Sequence, residues 1–510
     1  MAHGNRLRIF ACAWILTCAL LCAAGEPKWI EVRSPNFTVI SDDSAEQARC
    51  MAKKLEQFRS AFQSAFPKLK TDMGSPLIVF ATRNKKSLKA LIPNDRREKK
   101  GEIPAGMFMA GPERKFVVLR MDIPRNQRYH VVYHEYVHTM MNLNFNSLPL
   151  WLSEGLAELF AYTTVSDGDS KLGQASPEFL QMLKASSLIP LKILMSVAQD
   201  SPFYHQREKV NVFYAESWAL VHYLMFGENQ MHLPQLNEFL HWIENGTSDL
   251  EAAELAFGDL ETLEQNLEKY VRMDSFYQYS IKAKISTGED LFTERQLTPA
   301  ESLASRGELL IYADRLEEAR AMLEQALEKN PRSAVANQAM GSLYLSLRDK
   351  QQAQKYFSVA ADLDSQSYLA QFFAAQMAYE RHGDYEAAEK YLRKAIDINP
   401  RFAPAFRMLS QTLMMKSDRE MAPEALELAL KASRLEPSDL NHNINVGKIL
   451  MAMNKYADAY SLGHRILASA RTEADREKAE SFLSMVNRYW KIEKRHRAAG
   501  KSEEQPQSQR

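Results

Sequence analysis

The segment VVYHEYVHTMM (residues 131–141) decides how the first half of the chain is interpreted, because it predicts a buried helix with two histidines on one face. His134 and His138 are four residues apart, and Glu135 directly follows the first of them. Residues four apart lie on the same side of an α-helix, so both imidazole rings can direct a nitrogen at one point. The pattern therefore predicts a metal site, with Glu135 placed to reach a water molecule bound there.

The alternative is a pair of histidines on a surface or half-buried helix, with Glu135 as a solvated charge. The residues around the motif weaken this alternative. The preceding VVY and the following VHTMMNL make the other faces of the helix apolar, as expected of a helix buried in an enzyme core. Histidines inside such a helix need polar partners.

Carboxylates that can complete the site follow in LPLWLSEGLAELFA (residues 148–161), which predicts a second helix. Catalytic zinc usually takes three protein ligands and leaves a fourth position for water, so Glu154 is the predicted third ligand. Glu158 lies one turn further on the same face and is predicted to accept a hydrogen bond from the outer nitrogen of a ligating histidine. The alternative for both residues is a solvent-exposed glutamate.

The other segments of the first half predict a mixed domain of strands and helices. Apolar patterns predict strands in WIEVRSPNFTVI, PLIVFAT, GMFMAG and KFVVLRMD. SAEQARCMAKKLEQFRSAF places Met51, Leu55, Phe58 and Phe62 on one helix face. From about Leu152 the sequence is mainly helical. The edge of KFVVLRMD is the expected place for an extended peptide to pair with the sheet.

The second half of the chain is repetitive. Alanines recur at spacings of 34, 35, 37 and 34 residues, and another alanine follows seven positions later in the first four units. Small residues at a fixed helical spacing let two helices approach closely, and a proline that ends a unit cannot continue the helix. Period and pattern resemble tetratricopeptide repeats, most clearly in GDYEAAEKYLRKAIDINPRF. The aligned residues are Ala319, Ala353, Ala388, Ala425 and Ala459, then Ala326, Ala360, Ala395 and Ala432, then Pro331, Ser365, Pro400 and Pro437.

The fifth unit departs from the pattern. It has Ile466 at the second alanine position and Arg471 at the position that ends a unit, so it is interpreted as a cap of the solenoid. A final helix in EKAESFLSMVNRYWKIEKRH is expected to cover the solenoid end.

The motifs of the first half resemble the gluzincin metallopeptidases, most closely the small bacterial peptidase-MA-like domains that are often fused to tetratricopeptide repeats. HEYVH followed by WLSEGLA is similar to their ligand pattern, and YAESWALVHYL resembles the segment whose leading tyrosine stabilises the oxyanion in aminopeptidase-N-like enzymes. The resemblance, over residues 27–275, implies a thermolysin-like α+β fold with one bound zinc. The implied site residues are the ligands His134, His138 and Glu154, the general base Glu135 and the oxyanion donor Tyr214.

The chain also departs from that family. The gap between His138 and Glu154 is slightly shorter than in aminopeptidase-N-like enzymes. GMFMAG lacks the glutamate that anchors a substrate's free amino group there, which argues against aminopeptidase activity. His205 and His222 are alternative oxyanion donors, and a core or helix-end tyrosine is the alternative for Tyr214.

The leader MAHGNRLRIFACAWILTCALLCAAGE has basic residues before an apolar run and small residues after it. This layout is typical of a secretory signal peptide cleaved near Ala24, so the mature chain is expected in the periplasm or outside the cell. An uncleaved anchor is the less favoured alternative because the run is short for a membrane span. Lipidation at Cys22 is disfavoured because Leu21 precedes it. A chain starting near Gly25 keeps only Cys50, which excludes an intramolecular disulfide.

The sequence as a whole predicts a zinc-dependent peptidase whose repeats recruit a substrate or a protein partner. Lysine plus arginine and aspartate plus glutamate are equal at 64 each, so no net field attracts nucleic acid. One alternative is a non-catalytic repeat scaffold with a zinc-stabilised, inactive peptidase-like domain. Another is hydrolysis of a non-peptide amide at the same site. The predicted organisation is a signal peptide (1–24), a metallopeptidase domain (25–297), repeats (298–475), a capping helix (476–500) and a disordered tail (501–510).

Overall fold

The computed structural model describes residues 28–503 apart from gaps at 95–103, 112, 167–169, 199–200, 202–206, 228–230, 282–290, 365 and 417–420. The predicted signal peptide, His205 and residues 504–510 therefore lie outside the described residues. Within the described part, no helix combines the length and the apolar character needed to cross a membrane.

Within the described residues, the strands all lie in the first half of the chain, which is a mixed sheet with helices. Their bounds are β1 (Ile30–Arg33), β2 (Phe37–Ser41), β3 (Leu77–Thr82), β4 (Gly106–Ala110), β5 (Lys115–Arg120), β6 (Ser170–Leu172), β7 (Tyr279–Ile281) and β8 (Thr293–Gln296). Six of them form one sheet in the order β4-β5-β3-β2-β1-β8, and β6 pairs with β7 separately. β2, β3 and β5 are parallel, whereas β4, β1 and β8 join antiparallel to their neighbours.

Ten helices of the first half are described. Their bounds are α1 (Ala45–Ala65), α2 (Lys85–Lys89), α3 (Arg125–Asn144), α4 (Leu150–Ala161), α5 (Pro177–Ala185), α6 (Leu191–Leu194), α7 (Arg207–Phe226), α8 (Leu233–Glu244), α9 (Asp249–Phe257) and α10 (Leu260–Val271).

The four predicted strand segments all form strands of the sheet, but the predicted place for a peptide is wrong. β5, the KFVVLRMD strand, lies between β4 and β3. β5 forms an antiparallel pair with β4 on one side and a parallel pair with β3 on the other, so both of its edges are already paired. The outer edge of the sheet near α3 therefore belongs to β4.

One face of the sheet packs against α1 and α3. Met51, Leu55, Phe58 and Phe62, predicted to share one helix face, are all fully buried in this core. The Phe58 ring stacks on Tyr133 of α3, with ring centroids 4.0 Å apart. This contact holds α3, the helix with the two histidines, against α1, since buried aromatic pairs add to the stability of a core.

The second half is a solenoid of five antiparallel helix pairs followed by a long helix, as the repeats predict. The nine aligned alanines are all fully buried where helices meet. The helices are α11 (Pro299–Tyr312), α12 (Leu316–Lys329), α13 (Ala334–Ser346), α14 (Lys350–Leu363), α15 (Tyr368–His382), α16 (Tyr385–Ile398), α17 (Ala403–Met415), α18 (Ala422–Leu435), α19 (Leu440–Ala452), α20 (Tyr456–Ser469) and α21 (Glu473–Glu503).

The first repeat covers the second face of the sheet. Leu309 and Ala313 belong to one buried cluster with Phe80 and Phe116 of the sheet. The ring of Tyr312 lies 4.8 Å from the ring of Phe116. The two halves of the chain therefore share a hydrophobic core, although α11 begins with its own capping box immediately after β8.

The final helix is longer than the predicted 476–500. It begins at Glu473, where the Thr472 hydroxyl accepts a hydrogen bond from the Asp475 amide at 3.1 Å. This cap starts the helix three residues early. Residues 501–503, predicted as disordered tail, continue this helix.

Candidate metal centre

Two consecutive helices bring the three predicted ligands together. α3 carries His134 and His138, and α4 carries Glu154, which is buried. The Nε2 atoms of the two histidines lie 3.1 Å apart. Glu154 Oε2 lies 3.4 Å from each of these nitrogens. The three donor atoms thus surround one point between the helices.

The spacing and chemistry of these donors fit a zinc ion. Ligand atoms about 2.0–2.1 Å from a tetrahedral zinc lie about 3.3–3.4 Å from one another. Two imidazole nitrogens and one glutamate oxygen are also the set used by one class of catalytic zinc sites, which keep a fourth position for water. The three donor atoms lie 3.1 to 3.4 Å apart, which is close to the spacing in such a site. Neither helix has to be rearranged to hold the ion.

α4 also orients both histidine rings. His138 Nδ1 lies 3.1 Å from the Ser153 hydroxyl, and His134 Nδ1 lies 3.3 Å from Glu158 Oε1. With each Nδ1 beside a partner on α4, both Nε2 atoms are turned toward the ligand point, as in sites where a partner orients the imidazole ring. The structure thus places Glu158 beside the outer nitrogen of a candidate ligand.

His130 is a further member of the centre that sequence reasoning missed. Its Nε2 lies 3.0 Å from Glu158 Oε2, so Glu158 bridges His130 and His134. The signal was available, because His130 precedes His134 by four residues and so lies on the same helix face. Two histidines therefore share one buried carboxylate.

The centre holds its carboxylates ionised. Burial acts to raise the pKa of Glu154, but hydrogen bonds with His134 and His138 outweigh it and lower that pKa to about 2. The pKa of Glu158 is likewise about 2, because hydrogen bonds with His130 and His134 outweigh burial. Burial acts to lower the pKa of His134, yet these two glutamates raise it to about 10. The buried negative charge therefore favours a cation at this point.

Glu135 and Tyr214 flank the ligands. Glu135 is half-buried beside His134, and burial raises the pKa of its carboxyl group, which suits a proton acceptor working near neutral pH. Tyr214 is half-buried on α7, and its ring centroid lies 6.4 Å from that of His134. The structure thus brings the predicted base and the predicted oxyanion donor to the same centre.

His222, the alternative oxyanion donor on α7, faces away from the centre. It is fully buried, with Nδ1 2.8 Å from the Tyr270 hydroxyl and Nε2 3.0 Å from the Gly173 carbonyl oxygen. Burial lowers its pKa to about 4. Because both ring nitrogens have partners in the core, His222 is a packing residue.

Glu216, two residues after Tyr214, gives a pH-dependent stability that can be measured. Burial raises its pKa to about 8 from an ordinary 4.5, and its Oε2 accepts a hydrogen bond from the Ile189 amide at 2.7 Å. The unfolded chain ionises Glu216 at lower pH than the folded protein does, so its stabilising contribution is complete below 4.5 and is lost as pH rises through about 8.

We therefore expect Glu216→Gln to flatten the decline of stability between pH 5 and pH 8, because glutamine keeps the acceptor for Ile189 and has no proton to lose. Each unit of pKa shift corresponds to about 1.4 kcal/mol, so the difference at pH 8 is a few kcal/mol. Urea unfolding at both pH values measures it. Equal pH dependence in the two proteins would contradict the assignment.

A second group with histidine and carboxylates lies between α18 and α19. His442 is fully buried, and its Nε2 lies 3.3 Å from Glu436 Oε2 and 3.6 Å from Asp439 Oδ2. Asp439 also caps α19 by accepting a hydrogen bond from the Asn441 amide. Helix capping and the partnering of a buried histidine account for this group, which makes it a matched control for the metal centre.

A cavity of 610 Å³ opens beside the centre. His130 lines it from α3 and Tyr162 from the end of α4, so it borders the bridging pair of His130 and Glu158. Its walls are mostly apolar and aromatic, with Arg125 and Glu178 among the charged residues. A space of this size and lining can receive a side chain of an extended substrate.

Two known families match different parts of the chain. The family described as "Protein of unknown function (DUF1570)" matches residues 129–245, a segment that contains all three candidate ligands, Glu135 and Tyr214. The family described as "Tetratricopeptide repeat" matches residues 334–367 and 372–402.

Comparison with single curated proteins finds a match to part of the chain. The human "Protein O-mannosyl-transferase TMTC3" is 26% identical over 145 residues, which are 28% of this chain and 16% of that protein. The chain therefore spans about a sixth of the length of this relative.

Solved structures with similar helices include TTC0263, a thermophilic TPR protein of Thermus thermophilus (18% identity, 36% of this chain, 98% of that chain, TM-score 0.31). Others are YrrB, "a TPR protein with an unusual peptide-binding site" (18%, 36%, 92%, 0.30), and pilF of Pseudomonas aeruginosa (19%, 39%, 97%, 0.30). The repeat family and the helix pairs together identify the second half as a solenoid of tetratricopeptide repeats, which follows a first half of mixed sheet and helices.

Proposed function

We propose that the protein is an exported zinc-dependent peptidase with a thermolysin-like, gluzincin-type catalytic domain. The observation that carries the proposal is the convergence of His134 Nε2, His138 Nε2 and Glu154 Oε2 within 3.4 Å, with Glu135 and Tyr214 beside them. The leader, with its basic residues and short apolar run, supports export to the periplasm or the cell exterior.

The residues of the centre divide the chemistry between them. A zinc ion held by the three ligands would supply Lewis acidity and lower the pKa of a water molecule to about 7. Glu135 takes the proton of the attacking water and passes it to the leaving amine. The Tyr214 hydroxyl donates a hydrogen bond to the oxygen on which negative charge develops. Glu158 and Ser153 keep the two histidine rings in place.

The outer edge of β4 offers a place for the substrate backbone. β4 is the terminal strand of the sheet, and it packs close to α3, since a Cβ added at Gly106 would meet the Val131 side chain at 2.9 Å. An extended peptide pairing with this edge would run past the helix that carries His134 and His138. Main-chain pairing places few constraints on the side chains of the bound segment. It therefore fits a peptide substrate and equally a short amide-containing segment of the cell envelope.

The second candidate function is a binding scaffold, which the tetratricopeptide repeats favour because repeat solenoids dock extended segments of partners. In this case the first half would be an inactive domain stabilised by zinc. The presence of Glu135 beside the ligands favours the enzyme, since a domain that only holds zinc has no use for a proton acceptor there.

Metal content tests the proposal directly. We expect about one zinc per chain in the purified mature protein, because three protein ligands form one catalytic site. Glu154→Ala and the double variant His134→Ala, His138→Ala are expected to lose it, as measured by elemental analysis. Glu436→Gln, which alters the second histidine and carboxylate group, is the control and is expected to keep the zinc. Wild-type protein that contains no zinc after reconstitution would contradict the proposal. The binding scaffold would then be the remaining candidate function.

A further inference from the structure

Arg471 stands where the repeat pattern is broken. The corresponding position holds a proline in three of the four earlier units (Pro331, Pro400 and Pro437) and Ser365 in the other, whereas the fifth unit has an arginine. In the structure Arg471 lies between α20 and α21, half-buried, on the side of the solenoid that faces the first half. The departure is therefore at a contact between the halves of the chain.

The Arg471 guanidinium makes three short contacts across this boundary. Nη1 donates to both carboxylate oxygens of Asp249, at 2.7 and 2.8 Å. Nε donates to the Ser147 hydroxyl at 2.6 Å. Asp249 is the first residue of α9, where a negative charge also suits the helix end. Charge-assisted contacts of this kind are short and combine energy with a fixed geometry.

Ser147 connects this contact to the metal centre. It lies in the loop of residues 145–149, which joins the helix of His138 to the helix of Glu154. The position of this loop sets how α3 and α4 approach each other. The same approach sets the 3.4 Å distance between His138 Nε2 and Glu154 Oε2 and the 3.1 Å distance between His138 Nδ1 and the Ser153 hydroxyl.

Phe145 and Leu148 pack the loop against the core of the first half. A cavity of 390 Å³ separates the loop from the last repeat, lined by Phe145, Ser147 and Ser153 on one side and by Arg471 and Arg476 on the other. Apolar packing therefore does not hold the loop against the solenoid, and the polar contacts of Arg471 span the gap.

We propose that Arg471 is a positioning residue for the metal centre, through which the last repeat holds the loop between the two ligand helices. The solenoid thus acts on the catalytic half of its own chain. The inference rests on the proposed metal site. It explains why the unit-ending position of the fifth repeat carries a long, forked cation, because Nη1 and Nε reach two different residues and lysine has only one nitrogen.

Metal affinity in the full mature chain tests this inference. Zinc affinity is measured by competition with a chromophoric chelator, and the visible spectrum of the cobalt-substituted protein reports ligand geometry. We expect Arg471→Ala to bind zinc about tenfold more weakly, at the lower end of the effect of residues that orient ligands, and to alter the cobalt spectrum. Arg471→Lys is expected to restore only part of the affinity. Ser147→Ala, a milder change, is expected to shift both readouts in the same direction.

The matched control is Arg401→Ala. Arg401 Nη1 pairs with Asp72 Oδ2 at 2.7 Å, also between the solenoid and the first half, but it contacts neither the loop nor its helices. We expect wild-type zinc affinity and cobalt spectrum in this variant. If Arg471→Ala kept the wild-type zinc affinity and cobalt spectrum, the inference about Arg471 would be overturned but the proposed function would not. A wild-type protein that binds no zinc would overturn the proposed function and the inference with it.

Discussion

Glu135→Gln is expected to reduce peptide hydrolysis by about 10²- to 10⁴-fold, the range for loss of a general acid-base group. Glutamine has nearly the shape of glutamate but cannot accept the proton of the attacking water. Since Glu135 is not a ligand, we expect the variant to keep the zinc content and the thermal stability of the wild type. Initial rates on a set of quenched fluorescent peptides, with zinc content measured on the same samples, check both parts.

Glu216→Gln is the matched control for this experiment. It is the same substitution at a buried glutamate of the first half, on the helix of Tyr214, and its carboxyl group accepts a hydrogen bond from the Ile189 amide rather than contacting the centre. We expect it to hydrolyse peptides at the wild-type rate at pH 6, where Glu216 is still protonated in the folded protein. Equal activity of Glu135→Gln and wild type would contradict the assigned base, whatever the metal content.

Local patterns predicted the parts of the fold that depend on local chemistry. The four strand segments, the face of α1 with Phe58 and Phe62, and the nine alanines of the repeats were read from spacing alone, because burial imposes a period on each element. The three candidate ligands also converge as their spacing indicates, since a helix fixes the direction of residues four apart.

Features that depend on pairing distant segments were not predictable. β8 is exposed along its whole length, so no apolar pattern marks Thr293–Gln296 as a strand of the sheet. The edge was assigned to β5 because nothing in its sequence shows that β4 folds back on it. In the same way, one buried cluster contains both Leu309 and Phe80, residues more than two hundred positions apart, and the pattern of either segment is satisfied without the other.

The boundary between the predicted domains illustrates this limit. α11 begins at Pro299 with a capping box, close to the predicted start of the repeats at 298. The hydrophobic core nevertheless crosses that boundary, because the sheet face with Phe116 is covered by Tyr312 of the first repeat. The repeats therefore complete the first half structurally, which agrees with the role proposed for Arg471 at the other end of the solenoid.

Gly155 is the residue where a single added methyl group should disturb the centre most. A Cβ at this position would lie 2.4 Å from the Ser217 carbonyl oxygen and 2.5 Å from Val221 Cγ2. Both belong to α7, so α4 and α7 approach at this glycine with backbone against backbone. The flanking Glu154 is a candidate ligand, and α7 carries Tyr214, so the glycine sets the distance between the helix of a candidate ligand and the proposed oxyanion donor.

We expect Gly155→Ala to destabilise the protein by about 1–3 kcal/mol, the usual cost of overpacking a core, even though alanine favours a helix by about 1 kcal/mol over glycine. Because a backbone carbonyl cannot rotate away, α4 must shift, and we also expect weaker zinc binding. Urea unfolding and chelator competition measure the two effects.

Gly307→Ala in α11 separates overpacking from the general effect of the substitution. It is also a buried helical glycine, but its added Cβ would meet the Leu323 side chain at 2.8 Å and the nearest backbone atom only at 3.4 Å. A leucine side chain can adjust its rotamer, so the loss of stability should be smaller and the zinc affinity unchanged. If both variants lost the same stability and kept their zinc, the close approach of α4 and α7 would not be what positions Glu154.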